Sequence, residues 1–235
     1  MLWGVADRSD APARDYRSDQ REAQARLTRQ RVVDAATAVF LERGYAATTM
    51  RAIAAQADVA VPTVEVVFGK KSRLLKAAID VARAGDDEPV AVLDRDWTAA
   101  ARAATSAEEL LAIVARVLAP AQVRSAGLVL AVFEGAAADA ELAELAAQLI
   151  EERATTAAWL VDRLRRVASL RKGCTRQEAI DTIWILIDPA VFDRLTRQRH
   201  WTAERYERWI AASIARLLVD GAAHPPSKPH KRRTR

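Results

Sequence analysis

The side chains best suited to nucleophilic or metal chemistry are three histidines, His200, His224 and His230, and a single cysteine, Cys174. They all fall late in the chain, and no cysteine–histidine set or metal-ligand spacing links them. The eight glycines are scattered, which leaves no phosphate-cradling loop, and the adjacent carboxylates Asp86 and Asp87 lie in an acidic link where they read as solvated. The residues therefore argue against an enzyme, and no cofactor or metal is expected. Cys174 excludes an internal disulfide, fits a reducing compartment, and reads as a small residue near a helix start. Recognition chemistry remains, and it is concentrated between Thr28 and about Val81. There, hydroxyl, cationic and small apolar side chains stand at the starts of very short helical patterns, as a DNA groove requires.

The elements that must position these groups can be traced by their periodicity. Helical patterns run over Arg29–Arg43, Met50–Ala57 and Val61–Phe68, and a fourth begins at Lys71. Val32, Val33, Ala36, Val39 and Phe40 recur at spacings of three and four and share one face. Gly44 stands where a helix commonly ends in a left-handed residue. Thr48 or Thr49 can cap the next helix, whose inner stripe is Ile53, Ala54 and Ala57. Val59 plugs the turn, Pro62 suits the first turn of a helix, and Val64, Val67 and Phe68 are expected to point back to the core. Two short helices joined by a tight turn cannot bury their own apolar faces. They need the longer helix before them, an arrangement that leaves one helix free for a DNA groove.

The run TRQRVVDAATAVFLERGYAATTMRAIAAQADVAVPTVEVVFGKKSRLLKAAID resembles the N-terminal domain of TetR-type transcriptional repressors. The matching pieces are F-x-x-x-G-Y, T-T-x-x-x-I-A-x-x-A, V-x-V-P-T-V and F-x-x-K-x-x-L-L, in that order and spacing. Further on, GDDEPVAVLDRDW, SLRKGCTRQEAIDTIWILIDPAVFDRL and HWTAERYERWI resemble an actinobacterial branch of the same family. Three positions depart from the pattern. Asp58 replaces a usual glycine in the turn, and Ala60 replaces a usual serine, removing a side-chain cap from the third helix. Glu65 stands where a phosphate-touching tyrosine is usual; it either accepts from a cytosine amino group or faces solvent.

Under this resemblance the DNA-contacting set is Thr49, Arg51, Val61, Pro62, Thr63, Val67, Lys70 and Lys71. Thr49 and Arg51 would meet backbone and base edges. Val61 and Pro62 can touch thymine methyls, and Thr63 can hydrogen-bond. Lys71, with the amides opening the fourth helix, would hold phosphate.

Half of the 235 residues are apolar, enough for two cores. Periods near 3.6 recur throughout, so the fold class is all-α: a three-helix helix-turn-helix domain followed by a helical-bundle regulatory domain. Residues 1–26, polar and arginine-rich, are expected to form a flexible arm, one use of which is minor-groove contact. The DNA-binding domain follows at 27–84 and a sensing and dimerisation domain at 85–220. Residues 221–235 form a basic tail that is expected to be disordered. Lys228, Lys231, Arg232, Arg233 and Arg235 in this tail account for the net charge of +5. Such a tail either adds salt-sensitive attraction to DNA or only solubilises the end. No apolar run is expected to reach bilayer length and no secretory pattern opens the chain, so a cytoplasmic protein without membrane contact is expected.

In the second domain, helical patterns cover Thr98–Ala104, Ala107–Ala119, Val123–Ala137, Ala140–Leu170, Arg176–Ile187, Pro189–Arg197 and Ala203–Leu218. Ser106/Glu109 and Thr175/Glu178 have capping-box spacing, and Thr202 precedes the last helix as a cap. The resemblance implies a homodimer paired through the regions of Ile180, Trp184, Ile187, Tyr206, Ile210, Ile214 and Leu217. It also implies a pocket lined by Trp97, Leu111, Val114, Phe133, Leu149, Trp159, Trp184 and Phe192. Few polar groups are expected beside that pocket, which favours a mainly hydrophobic ligand. The expected function is a homodimeric regulator, most simply a repressor, released from a palindromic operator on double-stranded DNA by that small molecule. The alternative is a DNA-binding structural or interaction protein that senses nothing.

Overall fold

The computed structural model describes residues 11–86, 88 and 92–221, with side chains described from Gln20 onward. The described residues are helical, with one isolated backbone bridge and no strand. They form two compact units divided between Val81 and Ala82, three residues before the boundary expected at 84/85. The tail beginning at Ala222, and residues 1–10 of the expected arm, lie outside the described residues.

In the first unit, helix α1 spans Ala11–Ala47, α2 Met50–Gln56, α3 Val61–Phe68, and α4 begins the stretch Lys71–Ala84. The expected inner stripe of α1 is buried, from Val32 through Phe40, as are Ile53 and Ala54 of α2 and Val64 and Phe68 of α3. Leu74, Leu75, Ala78 and Ile79 are the buried stripe of α4. Two expectations require correction. Residues 11–26 are helical, because alanine, arginine, glutamine and glutamate have high helix propensity whatever their polarity. Val67 is 44% exposed, since Val64 and Phe68, four residues apart, already fill the inward face of so short a helix.

Long side chains tie this unit's joints together. Gly44 has φ 70° and ψ 173°, a conformation open essentially to glycine alone, and it breaks α1. Thr48 is buried and its hydroxyl donates to the Gly44 carbonyl at 2.6 Å, while Thr49 is the residue that caps α2, accepting from the Ala52 amide at 3.1 Å. Asp58 adopts the positive φ (52°) that the turn demands. Arg31 of α1 stabilises that turn by donating to the Ala57 and Asp58 carbonyls at 2.6 and 2.9 Å. These are orphan carbonyls at the end of α2.

In the second unit, the helices after the end of α4 are α5 (Asp96–Ala103), α6 (Ala107–Gly135), α7 (Ala140–Val167), α8 (Arg176–Leu186), α9 (Pro189–Asp193) and α10 (Ala203–Leu218). Helix α6 packs on α5, α7, α9 and α10, and α8 packs on α7 and α10. The two helices expected either side of Pro120 are one. Proline removes an amide donor and displaces the carbonyl four residues back. Here both Pro120 and Arg116 are on the exposed side, so the released carbonyl meets water, while Ala115, Ala119, Gln122 and Ala126 stay buried. Helix α6 is also long and apolar enough to cross a membrane by length and composition. That corrects the expectation that no run would reach bilayer length. In the fold its apolar face is core, with Leu110, Leu111, Leu128, Val129 and Val132 buried.

The cap at Thr175 is a full reciprocal box with Glu178, and Thr202 accepts from the Arg205 amide. At Ser106 the box is shifted: Glu109 reaches the Thr105 amide, not that of Ser106. The expected helix Pro189–Arg197 changes at Arg194 into a wider π turn ending at Gln198. Gly135 permits α6 and α7 to meet, because a Cβ there would stand 2.3 Å from Leu142 Cδ1. The segment after α7 is stitched to the end of α10 by the backbone N–H of Arg171 donating to the Leu218 carbonyl and the backbone N–H of Asp220 donating to that of Ser169.

Candidate DNA-binding interface

The groove-facing candidates divide by what their polar atoms already do. Arg51, Pro62, Val67 and Lys70 are exposed, and Val61 and Thr63 are half-buried. Thr49 is exposed, and its hydroxyl oxygen is the α2 cap. Pro62, Glu65, Val66 and Gly69 fall at i, i+3, i+4 and i+7, opposite the buried pair Val64 and Phe68, and so make the outward stripe of α3. Val66 is 86% exposed. Sequence reasoning missed it because an apolar residue on a short apolar helix is indistinguishable from core by periodicity. As the missing serine predicts, Ala60 supplies no side-chain cap to α3.

Lys71 has a different position from the one its sequence context implies. Its ammonium donates to the carbonyls of Tyr45 and Thr48 at 2.8 and 2.9 Å and lies 4.0 Å from the centre of the Tyr45 ring. Tyr45 in turn stacks on Phe40. Lys71 thus bolts the start of α4 to the joint between α1 and α2. Beyond α1, the exposed cationic groups of the unit are Arg51 on α2, Lys70 before α4 and Arg73 within it.

The residues expected to line a ligand pocket are packed. Leu111, Leu149 and Phe192 are buried, while Trp97, Val114, Phe133, Trp159 and Trp184 are half-buried. Trp97 meets Trp159 edge to face at 5.4 Å, and Phe192 meets Tyr206 at 4.9 Å. Two surface depressions are evident, one lined by Arg165, Leu170, Cys174 and Arg176 and one by Arg31, Asp34, Gln56 and Ala57. Neither involves any of the eight residues.

The expectation of few buried polar groups also requires correction. Arg153, whose side chain is 9% exposed, pairs with Asp188 at 2.5 Å and lies 4.1 Å from the centre of the Trp184 ring. Burial pulls its guanidinium below the ordinary arginine value, and the Asp188 charge pushes it back. Gln122 is buried and donates to the Ile187 carbonyl at 2.8 Å. Burial, then the Asp188 charge, raises the Tyr206 hydroxyl well above its ordinary value.

Five residues assigned to a dimer interface, Ile180, Ile187, Tyr206, Ile210 and Ile214, are buried inside one chain and belong to its own core. Trp184 is half-buried beneath Arg153. Leu217, at 49% exposure, does face outward, as does Ile185 at 56%. An apolar stripe looks the same in sequence whether it meets its own chain or another.

Ala82 and Arg83, the end of α4, are held inside the second unit. Arg124 of α6 donates to their carbonyls at 2.7 and 3.2 Å, and Arg83 pairs with Glu152 of α7 at 2.9 Å. Charged donors on the last carbonyls of a helix are favourable both as caps and against the helix dipole.

Residues 32–78, covering the whole of this short-helix arrangement from the buried part of α1 into α4, match the family model "Bacterial regulatory proteins, tetR family". No curated protein sequence matches the chain. Among solved structures, the chain is similar to SmeT in complex with triclosan, at 18% identity and a TM-score of 0.63 over 86% of this chain and 97% of that one. It is also similar to the regulator FadR from Bacillus subtilis in complex with stearoyl-CoA, at 19% identity and a TM-score of 0.61 over 83% and 99%. FadR from Bacillus halodurans, a fatty acid degradation regulator, gives 18% identity and a TM-score of 0.62 over 79% and 96%. At such identities these likenesses speak to the fold, while the matched residues speak to the family. The helix-turn-helix residues 32–78 carry the match to the tetR family of bacterial regulatory proteins, and the chain as a whole is similar to such regulators in fold.

Proposed function

We propose that this regulator acts as a homodimeric repressor that leaves a palindromic operator when a small, mainly apolar molecule binds its second unit. The supporting observation is α4. It is one uninterrupted helix whose first residue, Lys71, is fastened to the α1–α2 joint and whose last carbonyls are fastened by Arg124. A ligand that shifts α6 or α7 would act on the end of α4 through Arg124 and Glu152. It would release DNA only if it binds the DNA-incompetent arrangement more tightly. Relatives of the same fold that carry triclosan or stearoyl-CoA support a small-molecule role, and a cytoplasmic setting follows from DNA as the partner.

A dimer is required because one eight-residue helix reads few base pairs, whereas two related by a twofold axis read half-sites about 34 Å apart. With the inner stripes of α8 and α10 committed to the core, the exposed Ile185 and Leu217 are the apolar side chains these helices have left for a partner. Selection of bound fragments from genomic DNA tests the reading: enrichment of an inverted repeat with one-turn spacing is expected, and a non-repeated site bound by one chain would overturn it. A screen of apolar metabolites by melting temperature tests the ligand, since a binder of the folded form must raise it. The alternative, a DNA-binding module that senses nothing, predicts no shift with any compound.

A further inference from the structure

The outward stripe of α3 is chemically unusual for a helix that enters DNA. Across Val61–Phe68 there is no lysine, arginine, asparagine, glutamine or histidine. Apart from the single hydroxyl of the half-buried Thr63, the helix therefore has no side chain that can donate to the O6 and N7 acceptors of guanine, and none that can embrace guanine or adenine bidentately. The stripe instead offers the ring of Pro62, the carboxylate of Glu65 and the methyls of Val66. Glu65 is exposed, and its carboxylate makes no ion pair among the described residues. A carboxylate held against a polyanion is unfavourable unless it meets a donor there. In the major groove the donors are the amino groups of cytosine and adenine. Adenine sets its amino group beside the N7 lone pair, which repels a carboxylate, whereas cytosine sets its own beside a C–H. The exposed methyls of Val66 and the Pro62 ring are matched by the C5-methyl of thymine.

We propose that Glu65 and Val66 are the specificity-determining residues of this regulator. Glu65 accepts a hydrogen bond from a cytosine N4 amino group, and Val66, with Pro62, packs on thymine methyls of neighbouring pairs. The inference rests on α3 being the helix that enters the major groove. From Pro62 to Val66 is four residues, a rise of about 6 Å, under two base-pair steps of about 3.4 Å. The cytosine and the thymines therefore fall within two or three successive base pairs of each half-site.

Both side chains are exposed, so their substitution leaves the core intact. The test selects duplexes with full-length wild-type protein and then measures binding of single-base variants of the selected site. Expected is a cytosine favoured about tenfold over other bases, as one good base contact gives, with adjoining thymines. Glu65→Gln should move the preference at that pair toward adenine, because an amide can bond adenine's N6 and N7 together. Replacing the adjoining thymines by uracil, which lacks only the methyl, should weaken wild-type binding several-fold and weaken Val66→Ser less, through Pro62 alone. Selected duplexes on which Glu65→Gln keeps the wild-type preference, or on which uracil is tolerated, overturn the assignment while leaving operator binding intact. Failure to select any duplex overturns operator binding itself, and this inference with it.

Discussion

Replacing Lys71 by methionine keeps the length of the side chain and removes its charge, which separates two roles for one residue. In the structure the ammonium bridges two carbonyls, those of Tyr45 and Thr48, at 2.8 and 2.9 Å, and lies over the Tyr45 ring. Hydrogen bonds from a charged donor are worth about 1.5–3 kcal/mol each, and a cation over an exposed ring adds about 0.5–1 kcal/mol. Lys71 is only partly buried, so water takes over part of the loss, and a net cost of about 2–3 kcal/mol is expected after this discount. For a unit of this size each kcal/mol moves the melting midpoint by about 4–8 °C, so a fall of about 10–20 °C follows. The assay has an internal control. Five of the six tryptophans, Trp97, Trp159, Trp184, Trp201 and Trp209, lie in the second unit, so in a Trp3→Phe background tryptophan fluorescence follows that unit while far-ultraviolet circular dichroism follows both. The early dichroism transition should drop and the fluorescence transition should stay. If Lys71→Met left both unchanged while the salt slope of DNA binding fell by about one contact, the ammonium would be a phosphate ligand and the clamp argument would be refuted.

Other outcomes follow from the same contacts. Arg124→Met frees the carbonyls of Ala82 and Arg83; effector-induced release of DNA should weaken while affinity for DNA without effector changes little, read by fluorescence anisotropy with and without ligand. Asp188→Asn strands the Arg153 guanidinium, whose side chain is 9% exposed, and should cost about 3 kcal/mol in urea unfolding. Adding Arg153→Met should recover much of that loss, and a strictly additive double variant would refute the pairing. Leu217→Glu together with Ile185→Glu should shift sedimentation toward monomer with the helical content unchanged; an unshifted dimer would place the interface elsewhere. The Arg176 guanidinium, hydrogen-bonded to Asp162, holds that carboxyl below its ordinary range. A depressed folded-state value contributes stability above the unfolded value that is lost as pH falls through the folded one. Asp162→Asn should therefore lower stability near neutrality and flatten the acid limb of a stability–pH curve, its difference from the wild type vanishing at low pH.

The local chemistry of the fold was legible in the sequence, and its long-range chemistry was not. Thr49, Thr175 and Thr202 cap the helices they precede, because a cap needs only a residue type at a fixed offset. The turn at Asp58 and the break at Gly44 were legible for the same reason. Arg31, Lys71 and Arg124 fasten carbonyls between 23 and 42 residues away, and no spacing rule announces such a contact. Residues 11–26 looked unstructured because polarity was weighed above propensity, although alanine, arginine and glutamine form good helices. Within the candidate interface, Pro62 and Arg51 could be placed from their positions on short helices. Val66 could not, because its exposure is decided by which residues fill the inner face first.

The absence of any cation from α3 separates two properties that most DNA-reading helices combine. On the assignment proposed above, attraction to the polyanion falls to cations outside α3, such as Arg51, Lys70 and Arg73, and the choice of letters to Glu65 and Val66 within it. Substitutions in those two residues can redirect the protein to new promoters while its grip on DNA in general, and hence its search along the chromosome, is retained.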